Sequence, residues 1–257
     1  MMVRRKLEVA RKIARTEGPG GVLRLILRNL PGVVPAVARL FPRAWKEWNE
    51  LDFWKSRKRL GTFSNDHFEH FFTTHFGIDR GFYAGKRLLD IGCGPMGSLE
   101  WAEGAVERVG MDPLAADYLK LGADAQKMHY VTALSEAIPF EDAHFDVVSM
   151  FNALDHVEDL RKTAAEIQRV LKPGGLFLLM TDVNHEATDC EPQEISWDVV
   201  DLFRGALEVV EEKHYERHGE TFYETFDPAV PYDHTDPRKR TGTLSVKFRK
   251  GETPGDD

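Results

Sequence analysis

The chain has 257 residues, 42% hydrophobic and 11% aromatic, which is enough apolar side chain to bury a full core and excludes an intrinsically disordered chain. Its two cysteines, Cys93 and Cys190, build no disulfide framework. No apolar run reaches the length of a membrane span and no signal peptide is visible, so the sequence reads as cytoplasmic.

The net charge of −8 is unevenly placed: residues 1–46 carry eleven Lys and Arg against two acids, hence +9, which leaves −17 for the rest. Within this basic arm, Arg4–Arg15 predicts a helix ended by Gly18-Pro19-Gly20-Gly21. Val22–Leu30 follows, with Leu23, Ile26, Leu27 and Leu30 on one helical face and Arg24 and Arg28 beside it. Such an arm can lie in a membrane interface at the inner face of a membrane, pack on its own domain, or join a second subunit in an oligomer. Nucleic acid is disfavoured, because the acidic body repels phosphates.

Ala44–Arg59, with Trp45, Trp48, Phe53 and Trp54 among charges, reads as a helix, and Asp66–Phe76 as a second aromatic one. His67, His70 and His75 lack the i, i+4 spacing of a metal pair and are assigned to packing.

Lys86–Leu99 is the stretch that speaks of a ligand. Leu88, Leu89 and Ile91 predict a buried strand running into the turn Gly92-Cys93-Gly94, whose amides suit polar or anionic groups. A short helix is expected over Gly97–Glu103. Val106–Met111 predicts a second strand, and Asp112-Pro113 ends it where an acid could accept hydrogen bonds from ribose hydroxyls. Gly92-x-Gly94-x-x-Gly97 also fits a dinucleotide fingerprint. Asp90 weighs against that reading, since a carboxylate there suits an ammonium group and opposes a pyrophosphate. S-adenosylmethionine has an ammonium and no phosphate.

Downstream, Leu114–Leu121 and Leu160–Leu171 predict helices, and Met128–Thr132, Phe145–Met150 and Leu176–Thr181 predict strands. Ser196–Phe203 reads as a helix capped by Ser196, followed by strands Leu207–Tyr215 and Thr241–Arg249. Leu244, Val246 and Phe248 share one face of the last strand. Arg217–Arg240 is expected to reach over the edge of the site.

Together these segments resemble a class I S-adenosylmethionine-dependent methyltransferase. The closest likeness is to the small-molecule branch that reads LDIGCG, LPF, FDVV and LKPGG. The matching residues are Leu89–Gly94, Ile138–Phe140, Phe145–Val148 and Leu171–Gly175. The resemblance covers roughly Gly81–Met180. It implies an α/β fold, a Rossmann-like doubly wound sheet, mostly parallel with an antiparallel C-terminal strand, after an N-terminal helical extension. The expected divisions are an arm over 1–46, an aromatic cap over 47–80, the methyltransferase domain over 81–250 and a flexible tail over 251–257.

The resemblance also implies S-adenosylmethionine as cofactor, bound by Asp90, Gly92, Cys93, Gly94, Asp112, Pro113, Leu134, Ser135 and Asn152. Leu134 departs from the pattern, standing where the family usually has an acid for the adenine amino group. Asp155 and His156 fall at the family's variable pair beside the acceptor, and His185 follows the fifth strand. These three are the expected catalytic residues, with His156 the first choice for a general base. Their spacing, with Asp182, Asp189 and Cys190 nearby, matches no zinc pattern, and no metal ligand is assigned.

The expected activity is methyl transfer to a small-molecule or lipid-linked, sugar-like acceptor, with oxygen slightly favoured. A nicotinamide-dependent oxidoreductase, or a catalytically silent cofactor-binding partner docking through its arm, are the alternatives.

Overall fold

The computed structural model describes residues 42–188 and 190–252. The basic helices expected at Arg4–Arg15 and Val22–Leu30, most of the tail, and Asp189 lie outside the described residues. The chain divides into two units, Met1–Glu50 and Leu51–Asp257. In the first, the described part is the start of helix α1 (Pro42–Arg59), where Arg43 pairs with Glu47 at 2.8 Å and the rings of Trp45 and Trp48 stack at 5.2 Å.

The second unit is built on a seven-stranded sheet: β1 (Arg87–Ile91), β2 (Glu107–Met111), β3 (His129–Val131), β4 (Phe145–Phe151), β5 (Leu171–Val183), β6 (Leu207–Glu216) and β7 (Gly242–Lys250). Their order is β3-β2-β1-β4-β5-β7-β6. The first five pair in parallel, and β7 inserts antiparallel between β5 and β6. Strand order reverses between β1 and β4, which opens a crevice at their carboxyl ends.

Parallel strands are covered on both faces, and their apolar runs reflect it. On one face Leu89, Val148, Phe177 and the expected trio Leu244, Val246 and Phe248 pack together. Helix α4 (Leu160–Val170) covers them through Ala164, Ile167 and Val170. Asp159 caps this helix, accepting from the amides of Arg161 and Lys162 at 3.1 Å each. Helices α3 (Ala115–Lys120) and α5 (Asp201–Arg204) complete the layers.

The opposite face is covered by aromatics. Phe68, Phe71, Phe72 and Phe76 pack with Val147, Phe151, Leu178 and Met180, each fully buried ring contributing about 1.5–3 kcal/mol. His75 shares a 2.7 Å hydrogen bond with Ser245 of β7, and Lys247 donates to the carbonyl of Phe76 at 2.6 Å. His67 stacks on Phe68 and Tyr223. These histidines therefore turn to different partners.

Several expected elements are shorter or interrupted. The second aromatic helix is confined to α2 (Phe68–Phe72) and breaks at Thr73, whose hydroxyl donates back to the carbonyl of Glu69 at 2.6 Å before a 3-10 turn over Thr74–Phe76. No helix follows the glycine turn. Gly97 has a φ of +75° and the Ser98 hydroxyl bonds to Asp90, so 98–101 forms turns only. Ser196 bonds to the Asp198 side chain rather than capping a backbone amide, and the segment begins as a 3-10 turn, Trp197–Val200. Strand β5 starts at Leu171 and absorbs the Lys172–Gly175 turn, with a register irregularity against Phe145/Val147.

The sequence motifs have structural reasons. Asp146 of FDVV accepts from the amide of Arg87 at 2.8 Å and from Lys172 at 2.9 Å, tying β4 to both neighbours. Arg169 donates to the carbonyls of Ile138 at 2.9 Å and Phe140 at 2.7 Å, while Ile138 donates to Glu166 at 2.7 Å, strapping the LPF segment to α4.

Candidate active site

The residues singled out from sequence lie at or after the carboxyl ends of strands β1 to β5. Asp90 is 4% exposed. One oxygen accepts from Ser149 at 2.7 Å and the other from Ser98. Burial pushes its carboxyl up to about 6, against the pull of those two hydroxyls. It can offer a ligand ammonium its charge, and each oxygen can still accept a second hydrogen bond.

Two of the three amides of the turn are bonded within the protein. Gly92 and Cys93 both donate to the Met111 carbonyl, at 2.8 and 3.5 Å, and Gly97 donates to the Tyr130 hydroxyl at 3.2 Å. A pyrophosphate would need those amides; a ligand without phosphate does not. The Cys93 side chain points inward against Gly110, and burial raises its pKa well above the ordinary thiol value.

Gly92 has a φ of +70°, and a Cβ there would come within 2.3 Å of the Ala153 methyl. Gly94 has a φ of +58° and lies under the ring of Trp54, which a Cβ would approach to 3.1 Å. Asp112 is 9% exposed and accepts from the amide of Leu114 at 2.8 Å, across Pro113. Leu134 is half-buried, and the Ser135 hydroxyl bonds to Thr163 at 2.9 Å and to Glu136 at 3.2 Å.

Asn152 takes a φ of +52° directly after β4, its amide donating to the Met180 carbonyl at 2.8 Å. This strained residue turns the chain into the 3-10 turn Leu154–His156. Asp155 is 2% exposed. One of its oxygens lies 3.4 Å from Nε2 of His185 and the other 3.9 Å from Nε2 of His156. The contact with His185 is an ion pair rather than an aligned hydrogen bond. Nδ1 of His185 lies 2.9 Å from the carbonyl of Glu186, and the Asp155 carboxylate raises the ring's pKa to about 9.

The structure thus places Asp155, His156 and His185 together, and Glu191 joins them with its Oε1 4.0 Å from His156 Nε2. Asp182 turns away, bonded to Thr243 at 2.6 Å and Arg217 at 2.9 Å. Glu191, Trp54, Ser98 and Ser149 were not read from the sequence. Ser149 alone left a signal, as a polar residue inside the apolar strand Phe145–Phe151.

Residues 89–179 match the methyltransferase-domain family. Over those residues the chain is similar to the class I S-adenosylmethionine-dependent methyltransferases. It is 38% identical over 100 residues to a malonyl-[acyl-carrier protein] O-methyltransferase of Enterobacter lignolyticus, covering 37% of this chain and 38% of that protein. It is 33% identical over 116 residues to the ubiquinone/menaquinone biosynthesis C-methyltransferase UbiE of Vibrio parahaemolyticus, covering 41% and 45%. The chain therefore spans less than half the length of these curated relatives.

Two solved structures show the same fold. One is the complex between the Haloferax volcanii Trm112 methyltransferase activator and a methyltransferase, with a TM-score of 0.55 at 19% identity, covering 79% of this chain and 98% of that one. The other is a methyltransferase of Bacillus halodurans, with a TM-score of 0.51 at 18% identity, covering 65% and 94%.

The family's cofactor is S-adenosylmethionine, and the residues fit it. The amides of Gly92 and Cys93 are bonded within the protein, as a phosphate-free ligand allows, and Asp90 and Asp112 lie at the ends of adjacent strands. The missing acid at Leu134 removes one hydrogen bond that the family pattern would supply.

Proposed function

We propose that the chain transfers the methyl group of S-adenosylmethionine to a small-molecule acceptor, with oxygen the favoured atom. The observation that carries this reading is one of placement. The phosphate-averse glycine turn on β1 and the Asp155–His156–His185 cluster after β4 and β5 meet through the contact of Gly92 with Ala153. Bound S-adenosylmethionine supplies an electrophilic methyl on a sulfonium.

The protein's task is to hold the acceptor in line and keep water out. A hydroxyl acceptor must also lose a proton. His185 is poorly suited to take it: Nδ1 faces a carbonyl, which requires a proton on that nitrogen, and Nε2 faces the Asp155 carboxylate. His156 is the base in this reading, and Asp155 with His185 positions it. Replacing His156 by Ala lowers turnover about a hundredfold or more and leaves the affinity for S-adenosylhomocysteine unchanged. Unchanged turnover would remove the base assignment.

The basic arm supports a second component of the reading, an acceptor or anchor at an anionic lipid surface on the cytoplasmic side. Eleven Lys and Arg within residues 1–46 are what support it. Among the described residues no helix is long and apolar enough to cross a membrane. Calorimetric titration with S-adenosylhomocysteine, and with NADH as control, tests the cofactor reading. Binding of the first alone supports methyl transfer. Binding of NADH alone would favour the oxidoreductase reading, and binding of neither would overturn both.

A further inference from the structure

We propose that Asp155, His156 and Glu191 bind one divalent first-row transition-metal cation, with His185 as the outer support of the site. One carboxylate oxygen of Asp155, Oδ1, is buried and accepts no hydrogen bond, although the side chain is only 3% exposed. A buried carboxylate oxygen without a donor is costly, and a cation is the ligand that relieves it most directly. That oxygen is the one facing His156 Nε2 at 3.9 Å, and Nε2 in turn faces Glu191 Oε1 at 4.0 Å. The three donor atoms all lie within 4.8 Å of one another, the one such group found among the described residues.

The surroundings hold these donors in place. The second oxygen of Asp155 faces His185 at 3.4 Å, and His185 is fixed through Nδ1 to the carbonyl of Glu186 at 2.9 Å. A ligating carboxylate oriented by a neighbour of this kind is the usual outer arrangement of a metal site. Glu191 is presented by a loop tied at both ends. Its amide donates to the Thr188 hydroxyl at 2.9 Å, and the Gln193 amide donates to the Asp155 carbonyl at 3.2 Å.

Metal–ligand bonds of about 2.0–2.2 Å put tetrahedral donors about 3.4 Å apart, so binding draws the half-exposed Glu191 carboxylate inward by roughly 1 Å. Two carboxylate oxygens and one imidazole suit Mn, Fe, Co or Zn better than Mg or Ca, which prefer oxygen alone. Three protein ligands leave positions open, and the hydroxyl or carbonyl oxygens of an acceptor would complete the shell. The inference rests on the methyl-transfer reading and alters its proton step: His156 Nε2 is the base in the metal-free protein, and with the cation bound that nitrogen is a ligand and no longer accepts a proton. The cation then lowers the pKa of a hydroxyl it binds, and that proton passes to solvent.

The test uses the full chain, stripped with a chelator and titrated with Mn(II), Zn(II) and Mg(II) by calorimetry, with free Mn(II) followed by electron paramagnetic resonance. One equivalent of Mn(II) or Zn(II) binds, Mg(II) binds more weakly, and Asp155→Asn and Glu191→Gln each weaken binding at least about tenfold. Glu191 is on the surface, so its variant keeps the fold if Asp155→Asn does not. Wild-type binding weaker than about 1 mM overturns the proposal. So does binding that survives Glu191→Gln and disappears in His234→Gln, which would place the cation at the pair formed by His214 and His234, whose Nδ1 and Nε2 lie 2.8 Å apart. S-adenosylhomocysteine titration of the same samples reports separately on the cofactor reading.

Discussion

At the scale of single residues, Asp90 and Gly92 carry the sharpest consequences. Asp90 ionises near 6 in the fold, against an ordinary value of 3.8. A ligand ammonium favours its charged form, so affinity for S-adenosylhomocysteine falls as the pH drops through that value, by at most about tenfold per pH unit. Calorimetry between about pH 7.5 and pH 5 shows this dependence, and Asp90→Asn flattens it. If the wild type binds equally across that range, Asp90 does not sense the ligand. Gly92 combines a φ of +70° with the 2.3 Å approach to Ala153, so neither its backbone nor its surroundings tolerate a side chain. Gly92→Ala costs about 2 kcal/mol or more, read as a lower denaturation midpoint, and weakens cofactor binding with it.

At the scale of elements, the aromatic cap is held to the sheet by a histidine that must stay neutral. Burial, with Lys213 nearby, lowers the pKa of His75 from 6.5 to about 4. The unfolded chain takes up this proton first as the pH falls. The stability contribution is therefore complete above about 6.5 and is lost on the way down to about 4. Asp90 acts in the opposite sense over part of that window: its folded pKa is raised, so the folded state gains stability as the pH falls below about 6. The difference between wild type and His75→Gln isolates the cap. The wild type's advantage in melting temperature shrinks between about pH 7 and pH 5, and a constant advantage would mean that His75 is not buried as neutral imidazole.

At the scale of the whole molecule, charge is the organising quantity. Residues 1–46 carry +9 and the rest −17, so the arm and the body respond oppositely to an anionic surface. On the proposed membrane reading, the expected outcome is that the full chain co-sediments with phosphatidylserine vesicles and a chain lacking residues 1–46 does not. Each basic residue near the surface contributes about 1 kcal/mol, and about 0.5 M salt releases the protein. Equal sedimentation of both chains would assign the arm to packing or to a second subunit.

The sequence by itself determined the sheet and its ligand end. The apolar runs at Leu88–Ile91, Phe145–Met150 and Leu176–Thr181 need burial on both faces. The glycines and acids then fall at the carboxyl ends, because a parallel sheet puts every strand's end on one side. The alternation of Leu244, Val246 and Phe248 likewise fixed which face of the last strand joins the apolar core. Only the tertiary structure decided how the site is furnished. Ser98 and Ser149 occupy Asp90, the turn's amides serve Met111 and Tyr130, Trp54 covers Gly94, and Glu191 joins Asp155 and His156. These contacts join residues between 8 and 59 positions apart in the chain. Local periodicity reports which side of an element is buried, and it carries no information about which distant side chain will lie across from it.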